Sequence, residues 1–243
     1  MYQSALDICS VAFIPDHVNI ALTYNNMANI YSDTGDYNLA IDSYLKALTI
    51  ELKHFSVDHP HLAITYGNLA LAYDSQGNYT VAVEYHQKAL DIFLKSSTIN
   101  QQELSTSYFN FGLTLKKMKN FSLALNMYEK ALQINLVRLP LDHFEFVVLF
   151  NNIGLMHFNL EQYEEALENY KRALNTGIKL LPKDHIYLAQ IYDNIGLLCK
   201  IVDEEKTAIE YIEKSLEIRL KNLPPNHPSI AKIRNVLDEA RKN

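Results

Sequence analysis

The chain has 243 residues, 48% hydrophobic and 21% charged, with a formal net charge of −6, seven glycines and seven prolines. This balance offers no overall positive field to nucleic acid or an anionic membrane, so neither is expected as a partner, and the scarcity of glycine and proline suits helix throughout. Two cysteines far apart in the chain, Cys9 and Cys199, point to a reducing, cytoplasmic setting without a disulfide.

A marker recurs along the chain at Asp16/His17, Asp58/His59, Asp142/His143, Asp184/His185 and Asn226/His227, with a degenerate Asn100/Gln101 between, always at 42 residues or a multiple. A fixed period of this size predicts stacked supersecondary units sharing one core. In chain order, residues 1–15 read as the second helix of an incomplete repeat, Tyr2, Ala5 and Ile8 matching Tyr44, Ala47 and Ile50. Their missing partner helix is expected to belong to a longer array, the alternative being that another copy of the chain covers the open flank. Five units follow at 16–57, 58–99, 100–141, 142–183 and 184–225, and 226–243 reads as a solvating capping helix with Ile230, Ile233, Val236, Leu237 and Ala240 on one stripe.

Within each unit a bulky aromatic (Tyr24, Tyr66, Tyr108, Phe150, Tyr192) precedes a small residue by four (Ala28, Ala70, Gly112, Gly154, Gly196). Ala40, Ala82, Ala124, Ala166 and Ala208 recur in the second half. Alternating large and small residues let facing helices interdigitate. The marker Asp or Asn is the expected helix N-cap, with Pro60 and Pro228 in the first turn. Gly35 and Gly77 occupy the turn position that needs a left-handed backbone; Lys119, Glu161 and Asp203 stand there later, at about 1 kcal/mol each, so those turns are expected to be restructured or weaker. The most apolar stretch, Phe146 to Leu160, is interrupted by Asn151, Asn152, His157 and Asn159 and is too short to span a bilayer, so no membrane insertion is expected.

The motifs D-H-P, N-N-x-A/G-x-x-Y, G-x-Y-x-x-A and Y-x-K-A-L-x-I resemble the tetratricopeptide repeat, in the long-helix variety of kinesin light chains. The resemblance implies an all-α, right-handed α-α superhelix of antiparallel helix pairs, whose first helices line a concave face that binds partners as extended peptides or helices. Where the usual unit closes with proline, this chain has Leu52, Leu94, Leu136, Ile178 and Leu220, so the second helix is free to run on.

On the first helices stand Asn26, Asn68, Asn110, Asn152 and Asn194, one per unit. An amide is both donor and acceptor, so such a row can hold the backbone of a partner segment; equally, each can bond a neighbouring helix. The matching asparagines look like those that contact peptide backbone in the kinesin light chain groove. The adjacent polar residues Asn25, Asn151 and Asp193 favour an open groove. Leu71, Leu113, Leu155 and Leu197, with Asn29 in the first unit, form either an apolar floor or inter-repeat core. Lys116 and Lys117 meet either an acidic partner segment or their own helix dipole. The paired basic residues that clamp chaperone tails in the family are missing beside Asn26 and Asn68.

The histidine ladder His17, His59, His143, His185 and His227 is spread over successive repeats and does not converge on one ion, so no metal and no cofactor is expected. No phosphate loop, nucleophile elbow or metalloprotease motif is present. The expected role is therefore non-catalytic: an adaptor or scaffold that binds a protein or peptide in its groove. The alternative is an architectural or self-association segment of a larger signalling or enzymatic protein, associating through the N-terminal helix.

Overall fold

The computed structural model describes residues 17–96 and 100–241. The partial repeat expected at 1–15 lies outside the described residues, as does Cys9. Among the described residues there are eleven α-helices and no strand. They fall into two compact units, Met1–Met127 and Tyr128–Asn243.

In the first unit α1 (His17–Asp33) packs on α2 (Tyr37–His54), α2 on α3 (Pro60–Gln76), α3 on α4 (Tyr79–Lys95) and α4 on α5 (Gln101–Lys117). The start of α6 (Phe121–Arg138) also belongs here. In the second unit α7 (Phe144–Asn159) packs on α8 (Tyr163–Leu180), α8 on α9 (Ile186–Ile201), α9 on α10 (Glu205–Asn222) and α10 on α11 (Pro228–Ala240). Adjacent helices are antiparallel pairs, the tetratricopeptide arrangement.

The small residues sit where backbones come closest. Ala28, Ala40, Ala70, Ala82, Ala124 and Ala166 are fully buried. A Cβ built on Gly154 would lie 2.7 Å from Cδ1 of Tyr170 and 3.1 Å from the Ala166 carbonyl, so this pair needs glycine. The recurring lysine or arginine of the second helix rests on the recurring aromatic of the first: Lys46 on Tyr24, Lys88 on Tyr66, Arg172 on Phe150 and Lys214 on Tyr192. This cation–π contact gives the second-helix cation a reason within one pair. The second helices also run past the leucines that replace the closing proline, α2 ending at His54 and α8 at Leu180.

One expectation changes and another is narrowed. The cap is the histidine rather than the aspartate: Nδ1 of His59, His143, His185 and His227 accepts from the backbone N–H two residues on, at 3.2–3.3 Å. An imidazole placed one residue after the aspartate reaches that amide, and at Pro60 and Pro228 it leaves proline at the first helical position. Among the described residues only Asn100 caps as expected, accepting from Gln102 and Glu103. The turns are not restructured either. Lys119, Glu161 and Asp203 keep φ of 60–61°, the same left-handed region as Gly35 and Gly77.

Candidate functional site

The row of first-helix asparagines divides into two kinds. In the first unit the side-chain amides of Asn26, Asn68 and Asn110 are half-buried and make no hydrogen bond among the described residues. In the second unit they are committed: Asn152, 8% exposed, donates to the Val148 carbonyl of its own helix at 2.9 Å, and Asn194 donates to Oδ1 of Asn151 at 2.9 Å. An unpaired amide beside solvent is free to bond a ligand; a paired one must first break its bond.

The neighbouring polar residues serve the packing between helices. Asn25 donates to Glu51 at 2.9 Å and to Thr65 at 3.1 Å, joining α1, α2 and α3 around a carboxylate only 3% exposed. Burial raises the Glu51 carboxyl, against the hydrogen bonds from Thr65 and Asn25 that hold it down. Asp193 is ion-paired with Arg219 across α9 and α10, and burial lifts its carboxyl despite Ser215 and Arg219. Asn29 accepts from the Tyr44 hydroxyl. Lys117 pairs with the buried Asp74 and lies over the Tyr79 ring. Lys116 is half-buried, and burial followed by the Lys117 charge lowers its pKa. Of the leucines, Leu71 and Leu197 are exposed, whereas Leu113 and Leu155 are half-buried, Leu155 against the second unit's core.

Asn68, Asn110 and Leu71 come together at a cleft of about 340 Å³ between α3 and α5, with α4 beneath. Asn68 and Leu71 also border a second opening on the α1 side, beside Asn29 and Asp33. The α3 face carrying Asn68 and Leu71 is thus open on both flanks. The residues of the first cleft that escaped sequence reasoning include Gly67, His86, Phe93, Glu103 and Ser107. Gly67 and His86 were visible as departures from the repeat, since Gly67 stands where other units have Asn25, Phe109, Asn151 and Asp193, and His86 where three of them have Tyr44, Tyr128 and Tyr170. His86 is 1% exposed, 3.1 Å from the Thr114 hydroxyl, and burial lowers its pKa to about 4, so it is neutral near pH 7.

Among the described residues no group of three or more His, Cys, Asp or Glu converges to hold a metal ion, and no helix is long and apolar enough to cross a membrane.

The tetratricopeptide repeat profile matches residues 1–53, 20–95, 61–136 and 145–237. No curated protein sequence matches the chain. Among solved structures it is similar to BtubC (BKLC) from P. vanneervenii, at 20% identity over 93% of this chain and 92% of that one, TM-score 0.77. A putative kinesin light chain of Podosopora anserina with nearly identical TPR-like repeats shares 18% identity over 86% and 98%, TM-score 0.73. YrrB, described as a TPR protein with an unusual peptide-binding site, shares 19% over 96% and 97%, TM-score 0.62. At these identities the likeness shows the fold, and with the profile matching most of the sequence the chain belongs to the tetratricopeptide repeat family.

Proposed function

We propose that this protein is a non-catalytic binding module that holds an extended segment of a partner protein along the open face of its first unit, in the manner of a cytoplasmic adaptor. The observation that carries this reading is the set of half-buried amides of Asn26, Asn68 and Asn110, unbonded among the described residues, two of which border one cleft. Each presents a donor and an acceptor at the spacing of successive repeats, so a peptide backbone can be held whatever its side chains. Leu71 adds an exposed apolar contact at the same place. Family membership supports the reading, since such repeats typically serve protein–protein interaction, and one similar structure is described as peptide-binding. Asn152, Asn194, Asn151, Asp193 and Asn25 belong to this site less directly, because ligand would compete with bonds they already make.

The test is selection of a displayed random-peptide library on the intact chain, followed by titration of recovered peptides against Asn68→Ala/Asn110→Ala. Neither amide bonds within the described residues, so the double variant should keep its thermal midpoint while binding weakens about tenfold or more, as expected for two lost hydrogen bonds of about 1 kcal/mol each. A lowered midpoint with undiminished binding would return these asparagines to a purely structural role.

A further inference from the structure

The α3–α5 cleft exists because one repeat departs from the others. A Cβ added at Gly67 would meet nothing within 4 Å, so the space that a side chain occupies at Asn25 or Asn151 is vacant here. Two side chains that line this space are more than nine-tenths buried and carry a polar atom without a partner among the described residues: Ser107 at Oγ and His86 at Nδ1. The tautomer of His86 follows from its neighbours. The Thr114 hydroxyl donates to the Asn110 carbonyl at 3.4 Å, which leaves its oxygen to accept from Nε2–H of His86 at 3.1 Å and the lone pair on Nδ1.

The rim continues this chemistry. The side-chain amides of Asn68 and Asn110 make no hydrogen bond among the described residues, Glu103 brings a carboxylate, and neither lysine nor arginine lines the cleft. Phe93 supplies an aromatic wall. The buried acceptor on His86, the Glu103 carboxylate and the Phe93 ring together fit an occupant that brings donors, a positive charge and a flat apolar surface. A tyrosine or tryptophan brings one donor and leaves Glu103 without a counter-charge; an acidic side chain is repelled. A lysine supplies the charge without the plane, whereas a guanidinium is planar, stacks on aromatic rings and carries five donors with no acceptor. We infer that the α3–α5 cleft receives an arginine side chain of the bound segment, with Glu103 as counter-ion. This rests on the peptide-binding reading above and gives it a sequence preference.

The test is an NMR titration of the full chain, following the Gly67 amide and the His86 ring, with N-acetyl-arginine methylamide, its neutral near-isostere N-acetyl-citrulline methylamide, and N-acetyl-tyrosine methylamide. The arginine probe should give saturable shifts at both positions, with citrulline weaker by about tenfold. Glu103→Gln should bring arginine down to citrulline, and Gly67→Asn, which fills the space with a side chain used in two other units, should abolish the shifts. Citrulline or tyrosine binding as well as arginine, or arginine shifts that survive Gly67→Asn, would overturn the proposal. If Gly67→Asn does not fold, Glu103→Gln decides. Library selection separates the two readings. Recovered peptides that need Asn68 and Asn110 but show no enrichment of arginine would refute the subsite alone; recovery of no peptide would refute the groove, and the probe titration would then decide the cleft by itself.

Discussion

Asp193 bears most sharply on whether a polar first-helix residue belongs to the groove or to the packing. It is paired with Arg219 on the next helix, the two side chains being 20% and 11% exposed, and its Oδ1 is buried without a partner. Arg219→Met removes the cation while keeping an apolar stem, leaving a carboxylate in a poorly solvated place. Breaking a buried pair in this way costs about 3–5 kcal/mol; with a fifth of Asp193 still exposed the lower end applies, about 3 kcal/mol at pH 7. In the variant the Asp193 pKa, already raised by burial, loses the restraint of Arg219 and rises further. A carboxyl whose folded pKa lies above its unfolded value binds more protons when folded, so its destabilisation is absent below about pH 3.9 and grows as pH rises through the folded pKa. Urea unfolding of wild type, Arg219→Met, Asp193→Asn and the double variant from pH 4 to pH 8 checks this. The loss should shrink toward pH 4, and the double variant should recover most of it at pH 7. A loss equal at both pH values would mean that Arg219 acts by packing, and a loss below about 0.5 kcal/mol would make the pair an ordinary surface bridge.

His86 makes the opposite pH prediction. Its folded pKa of about 4 lies below the unfolded value of about 6.5, so the stability it contributes is full above pH 6.5 and is lost as pH falls toward 4, about 3 kcal/mol in all; His86→Phe should flatten that limb of the urea-midpoint profile. Two helical glycines should respond with opposite signs. Gly67→Ala, whose Cβ meets open space, should stabilise by about 0.5–1 kcal/mol, and Gly154→Ala, 2.7 Å from the Tyr170 ring, should destabilise by about 1–2 kcal/mol in calorimetry after its helix-propensity gain is subtracted. Lys119→Gly and Glu161→Gly relieve a left-handed backbone, and each should raise stability by about 1 kcal/mol; no gain would mean that their side chains compensate locally.

The helix pairs were legible because their signal is redundant: the same small, aromatic and cationic positions return in successive units, so Gly154 against Tyr170 or Lys214 over Tyr192 can be anticipated from any other unit. The caps were less legible. Asp58 and His59 are both cap-competent, and only the position of the helix start, with proline following at residue 60, gives the cap to the imidazole. The site was least legible, since a periodic reading weights what recurs. Asn26, Asn68, Asn110, Asn152 and Asn194 recur, yet their bonding differs: Asn152 and Asn194 bond an internal acceptor, and among the described residues the first three do not. Gly67 and His86 line the cleft and appear in the sequence only as interruptions.

Those interruptions follow a rule of their own. Asn25 bonds Glu51 and Asp193 bonds Arg219, each partner standing 26 residues further on. The same offset from Gly67 reaches Phe93, and there no polar group meets a polar group; both residues line the cleft instead. In the first and last repeats this seam between first and second helix carries a matched polar pair, and in the second repeat, where the pair is glycine and phenylalanine, it is open. Placing Asn at 67 alone would fill the space and leave Ser107, at the place of Thr65, as its acceptor, because Phe93 offers none, whereas Gly67→Asn/Phe93→Glu would rebuild the whole bonded seam of the first unit. The cleft is in this sense one repeat's departure from its neighbours' packing, and the opening at Gly67 and Phe93 is what leaves the polar atoms of Ser107 and His86 for a ligand.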